Sequence, residues 1–133
     1  LSLHVTLNSP TTKSPPMQHR KKINKLGLKK SHRDALLKNL VASLVINDRI
    51  NTTASRAKAL AARFGRIMSM VQKKEPREAI RLMPNYCNVK AASQKLVNEL
   101  KAKYQDRVSG FTRITRLSTR KGDNAQLVQI ELI

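Results

Sequence analysis

The residues best suited to chemistry in this chain are cations. Between His19 and Arg33 stand Arg20, Lys21, Lys22, Lys25, Lys29, Lys30 and Arg33, with no acidic residue before Asp34. Ammonium and guanidinium groups bind phosphate oxygens by Coulomb attraction and charge-assisted hydrogen bonds. A one-signed run of this kind repels itself and stays extended until an anion neutralises it. Groups for covalent or acid–base chemistry are scattered: eight carboxylates, three histidines (His4, His19, His32) and the single Cys87. No Ser or Cys has a His or acid at suggestive spacing, and no glycine-rich loop has phosphate-cradle spacing. The histidines have no Cys partners at zinc spacing. No catalytic residue, metal site, cofactor or small-molecule substrate is therefore expected. Cys87 has no disulfide partner in the chain, so it reads as a small packed side chain in a reducing compartment.

The net charge of +19 over 133 residues, with a pI near 11.1, calls for a polyanionic partner. A membrane surface would favour a basic amphipathic helix or a long apolar run, and no stretch of about 18 apolar residues is present, so membrane insertion is not expected. Nucleic acid fits, because Lys and Arg release counterions condensed on a phosphate backbone. Only Phe64, Tyr86, Tyr104 and Phe111 are aromatic. Stacking on splayed single-stranded bases needs several exposed rings, so contacts to the backbone and grooves of folded RNA fit better. A nucleoid-type DNA-binding protein explains the charge equally well. It would ordinarily show a recognition helix or a dimer seam, and the first helix is too apolar to lie in a groove.

These cations need a scaffold. Residues 1–16, with Pro10, Pro15 and Pro16 among Ser and Thr, read as an irregular tail. The chain opens on Leu1 rather than Met, as a processed product would, although the segment is poor in Arg for a transit-peptide remnant. Ser31 and Asp34 resemble a capping box, and Leu36, Leu37, Leu40, Val41, Leu44 and Val45 recur at helical spacing, predicting a helix over 32–46. Arg49 to Thr53 is rich in β-branched residues and predicts a strand, with Thr53 as N-cap of a helix over 54–73. There Ala57, Leu60, Phe64, Ile67, Met68 and Val71 form the apolar stripe, while Arg56, Arg63, Arg66, Lys73 and Lys74 fall on its flank and back. Gly65 lies off the stripe without apparent reason. Pro76 suits the first position of a short helix to Leu82, and Asn88 suits the cap of another carrying Val89, Ala92, Leu96, Leu100 and Tyr104. Beyond Gly110 the pattern turns to β: strands over 111–117 and 127–133 flank an Arg120–Asn124 turn, so the hairpin carries Arg113, Arg116, Arg120 and Lys121 toward its tip. The expected organisation is a basic extension over 1–30 and a single α+β domain over 31–133.

Ordered fragments then suggest a family. Met17-Gln18-His19-Arg20-Lys21, Ser31-His32-Arg33, Lys38-Asn39-Leu40, Thr52-Thr53, Gly110-Phe111-Thr112-Arg113-Ile114, Gly122-Asp123-Asn124-Ala125 and Ile130-Glu131-Leu132 resemble, in this order, bacterial-type large-subunit ribosomal protein seventeen. The resemblance runs from Met17 to the end, and the wording around His32 to Leu40 is most similar to fungal mitochondrial members. It implies an α+β fold, about four helices on a small mixed three-stranded sheet, seated on large-subunit rRNA at the tunnel-exit side among neighbouring ribosomal proteins. It implies RNA contact at His19, Arg20, Lys21, Ser31, His32, Arg33, Lys38 and Asn39, and at the hairpin's Arg113 and Arg120. Charge alone adds Lys22, Lys25, Lys29 and Lys30 in the extension and Arg116 and Lys121 in the hairpin. Thr52 and Thr53 match the family's Thr pair, which serves equally well as a strand end and helix cap. Ser109, Phe111 and Gln126-Leu127-Val128 depart from the bacterial pattern of Gly, Tyr and Pro-Met-Ala. With the segment before Met17, these departures favour an organellar ribosome over a bacterial one, and the expected location is a mitochondrial ribosome, with a bacterial cytoplasm or a plastid as the alternative.

Overall fold

The computed structural model describes residues 24–133. Its first long helix, α1 (Lys30–Asn47), forms where the apolar residues repeat at helical spacing, and it buries Leu37, Val41, Leu44 and Val45. It ends because Asp48 turns left-handed (φ 61°), a conformation that short polar side chains tolerate better than most. The chain then returns through β1 (Arg49–Thr53) and climbs again as α2 (Ala54–Lys73). The predicted Ser31–Asp34 capping box does not form. Helix α1 starts earlier, behind Lys29, with no side-chain cap, and Asp34 reaches Arg63 on α2 at 3.4 Å. Thr53 holds the N-cap position of α2, but its hydroxyl makes no capping bond.

Pro76 opens α3 (Pro76–Leu82), which passes into a 3₁₀ turn over Met83–Asn85. The next rod begins behind Val89 rather than Asn88, as α4 (Lys90–Lys95), a π turn (Leu96–Leu100) and a last helical turn, α5 (Lys101–Lys103). The buried side chains Ala92, Leu96, Leu100 and Tyr104 are spaced by four residues throughout. On a helix of about 3.6 residues per turn, that spacing drifts by about 40° at each step. A wider π turn reverses the drift and keeps the row on the core.

Strands β2 (Thr112–Thr119) and β3 (Gln126–Leu132) complete a sheet of order β1-β3-β2. Both neighbours run antiparallel to the central β3, so the sheet is purely antiparallel and not mixed. Ile50, Ile130 and Ile114 align across the inner face, followed by Thr52, Val128 and Arg116. Val128 and Ile130 are buried against the helices together with Phe64, Ile67, Met68 and Leu96. A bulge at Leu117, between Arg116 and Ser118, explains why alternation in β2 is unclear in the sequence. Cys87 is buried in the core, with its thiol 3.6 Å from the carbonyl of Val89.

Candidate nucleic-acid interface

Two groups of cations separate once their acceptors are traced. The first holds the chain together. The Lys38 ammonium donates to the Pro84 carbonyl at 2.9 Å, tying α1 to the 3₁₀ turn. Lys95 donates to Asp48 at 2.9 Å and to the Ile46 carbonyl at 3.4 Å, and Lys101 donates to the Lys74 carbonyl at 2.8 Å. These two lysines satisfy carbonyls just where α1 and α2 end, the pole at which a cation is favoured. Arg63 bonds Asp34 and the Asn85 carbonyl, the latter at 3.3 Å. Asn39 belongs with this group, since its Oδ1 accepts from the Asn88 amide at 2.7 Å.

Of the second group, the cations without an acceptor among the described residues, one set gathers at one end of the molecule, while Lys73, Arg77, Arg81, Lys90 and Lys103 stand on the last turn of α2 and on α3, α4 and α5. The segment from Asn24 makes a tight turn, with Leu26 and Gly27 both left-handed (φ 57° and 66°) and the Leu28 amide on the Lys25 carbonyl. A left-handed Leu costs on the order of 1–3 kcal/mol, so the surrounding structure must hold it. On one side of this turn, Asn24 borders a cleft with Arg33, Arg63 and Arg66 around Asp34. On the other, Leu26 borders a second cleft formed by the start of α2, including Arg56, and the hairpin tip, including Arg120. Both long helices therefore present their first turns here. Each lacks a side-chain cap and any acidic residue in that turn, and each carries cations instead, Lys30 and Arg33 on α1, with His32 between them, and Arg56 on α2. Cations at the positive pole of a helix are unfavourable by themselves, while an anion there satisfies free amides and side chains together.

The hairpin residues differ among themselves. Arg120 is held in a fork by Asp123, Nε to Oδ1 at 2.9 Å and Nη2 to Oδ2 at 2.6 Å. The guanidinium, with help from the Ala125 amide, pulls the Asp123 carboxyl down to about 2, and the same hydrogen bond raises the pKa of Arg120. Arg113 leans on Glu131 at 3.8 Å, a loose exposed pair. Arg116 and Lys121 are exposed without an acceptor among the described residues, as are Lys25, Lys29, Lys30 and His32. His19, Arg20, Lys21 and Lys22 lie outside the described residues. Arg56 and Arg66 join the basic end as well. Charge alone could have put them there, but only the fold shows that they face the start of α1 and the hairpin tip.

No group of His, Cys, Asp and Glu able to hold a metal ion occurs among the described residues, and no described helix is long and apolar enough to cross a membrane. The "Ribosomal protein L17" family model matches residues 36–133. Among curated relatives, the large ribosomal subunit protein bL17 of Porphyromonas gingivalis is 39% identical over 117 residues, covering 88% of this chain and 72% of that protein. The bL17 of Fusobacterium nucleatum is also 39% identical over 117 residues and is covered over 100% of its length. These matches span both long helices, the sheet and the hairpin, and they show that the chain belongs to the ribosomal protein L17 family, whose members are structural and not enzymatic.

Proposed function

We propose that the chain is a structural constituent of the large ribosomal subunit that binds large-subunit rRNA through its basic end and its N-terminal extension. The observation that carries this reading is the convergence of two uncapped, acid-free helix starts, the Asn24–Leu28 turn and the hairpin tip on one surface. Lys25, Lys29, Lys30, His32 and Arg33 meet phosphates there, joined by Arg56 and Arg66. Arg113, Arg116, Arg120 and Lys121 extend the interface along the hairpin. The preceding His19, Arg20, Lys21 and Lys22 thread between RNA helices, and the domain over 31–133 fixes their direction. Binding neutralises the self-repulsion of the run from His19 to Arg33, which from Asn24 onward is already folded as a tight turn and the first turn of α1.

Lys38 and Asn39 act in this reading at one remove: they hold the 83–88 turn against α1 and shape the surface beside the RNA. Helix α1 buries Leu37, Val41, Leu44 and Val45 in its own domain, an arrangement that does not suit a recognition helix laid in a DNA groove. The family resemblance supports a seat on the tunnel-exit side, among neighbouring ribosomal proteins. The fungal-like wording near His32 and the departures at Ser109, Phe111 and Gln126–Val128 support a mitochondrial ribosome.

The test is binding to large-subunit rRNA across a salt series, for the full chain and for Lys29→Ala/Lys30→Ala/Arg33→Ala. Every cation removed from a phosphate should lower the log–log salt slope by about 0.9 on a duplex, hence by about 2–3 in all. A slope that does not change would overturn the assignment of these residues.

A further inference from the structure

We propose that the open edge of β2, with the groove beside it, takes up an extended protein segment in which apolar and acidic residues alternate. Strand β2 lies at the margin of the sheet, paired only with β3. The Ile133 amide donates to the Phe111 carbonyl, which makes 111 and 133 a hydrogen-bonded pair of the antiparallel ladder. By alternation, Arg113 and Thr115 also bond β3, while the amides and carbonyls of Thr112, Ile114 and Arg116 point away from the sheet. An incoming strand finds those groups ready to pair. The bulge at Leu117 limits the usable edge to about five residues.

Side-chain exposure argues for a protein partner. Val108, Ile114 and Leu117 are 85%, 39% and 49% exposed, three of the six large exposed hydrophobics among the described residues, and all lie on β2 or its lead-in. Beside them runs a groove of about 590 Å³, walled on one side by Ala62, Gly65 and Ser69 of α2 and on the other by the chain from Val108 to Thr112. A fourth strand would drop its inward side chains into this groove. Gly65 gains a purpose here: a Cβ at that position would meet nothing within 4 Å, so the chain's own packing does not require glycine. The outer face of this edge carries Arg113, which the register sets beside Glu131 and away from the helices, and the groove is lined by no carboxylate. The partner's outward side chains should therefore be acidic, and its inward ones apolar.

The probe is a blocked peptide of three Val-Glu repeats added to the full chain at physiological salt, compared with a peptide of the same composition in which three valines precede three glutamates. The alternating peptide should bind at least tenfold more tightly. It should slow amide exchange at Thr112, Ile114 and Arg116 without changing Arg113 or Thr115. Gly65→Leu, which fills the groove on a helix that Leu favours, should weaken binding at least tenfold with unchanged circular dichroism. Should that variant alter the fold, Thr112→Pro removes one outward donor at the first strand residue, where proline is tolerated, and should weaken binding similarly. Equal affinity for the two peptides would mean charge attraction alone and would overturn the proposal. So would exchange that stays fast at the three edge amides. Protection of those amides by an oligouridylate and not by the peptide would assign the groove to RNA and overturn it as well.

Discussion

Replacing Arg63 and Lys30 by Ala in separate proteins should produce opposite results. The two cations have similar intrinsic chemistry, and only their surroundings differ. The Arg63 side chain is 21% exposed and bonds a half-exposed Asp34 at 3.4 Å and the Asn85 carbonyl at 3.3 Å. A partly screened ion pair contributes about 0.5 kcal/mol and a long neutral-acceptor bond about as much or slightly more. The guanidinium Nε is buried without an acceptor among the described residues, which offsets part of this gain. Arg63→Ala should therefore destabilise the chain by about 1 kcal/mol, roughly a 3–6 °C fall in Tm for a domain of this size. Its rRNA salt slope should not change. Lys30 is the first residue of α1, at the positive pole of an uncapped helix, and has no acceptor among the described residues. Lys30→Ala should stabilise the free chain by about 0.3–1 kcal/mol, by removing charge–dipole repulsion. It should also reduce the salt slope by about 0.9. Thermal unfolding by circular dichroism and filter binding across a salt series read both quantities. A slope that falls as far for Arg63→Ala as for Lys30→Ala would refute the division of the cations into stitching and phosphate-binding groups.

Further outcomes follow from the structure and from the charge of the N-terminal extension. Tyr104 is 2% exposed and its hydroxyl has no partner among the described residues, so Tyr104→Phe should raise stability by about 1 kcal/mol in denaturant unfolding; a loss of that size would mean that the hydroxyl is bonded. The Asp123 carboxyl titrates near 2 against an ordinary 3.8, so its contribution to the hairpin is complete above about pH 4 and is lost as pH falls toward 2. A carboxyl NMR titration with an ordinary midpoint would contradict the Arg120 fork, and Asp123→Asn should free Arg120 and steepen the rRNA salt slope by about 0.9. Arg20→Ala/Lys21→Ala/Lys22→Ala should weaken rRNA association and flatten its salt dependence, and an unchanged slope would remove those three residues from the interface.

The helices were legible because burial imposes a period on the sequence. The stripe from Ala57 to Val71 is enough to place α2 over Ala54–Lys73, and Pro76 with Met83-Pro84 is enough to bound α3. Local capping chemistry misleads where a tertiary partner competes: Asp34 reaches Arg63, and the Asn88 amide reaches Asn39, so neither caps a helix. The π turn is hidden because a row of apolar residues four apart fits an ordinary helix locally and drifts off the core only over several turns. Strand direction in the sheet is a long-range property, set by the central placement of β3, and no local pattern in β1 announces it. Among the cations, charge density marks Lys29, Lys30 and Arg33, but spacing alone does not tell Lys38, held on Pro84, from an unengaged lysine. Arg56 and Arg66 are likewise ordinary wet-face residues of α2 until the fold brings the start of α1 and the hairpin tip beside them.

Binding of this chain to rRNA within the large subunit is tested most directly by sedimenting a tagged copy from lysate through a high-salt sucrose gradient and probing each fraction for large-subunit rRNA of cytosolic and organellar ribosomes. Co-migration with the mitochondrial large subunit through the salt wash is the predicted result. Release of the protein to the top of the gradient, with rRNA left behind, would contradict it.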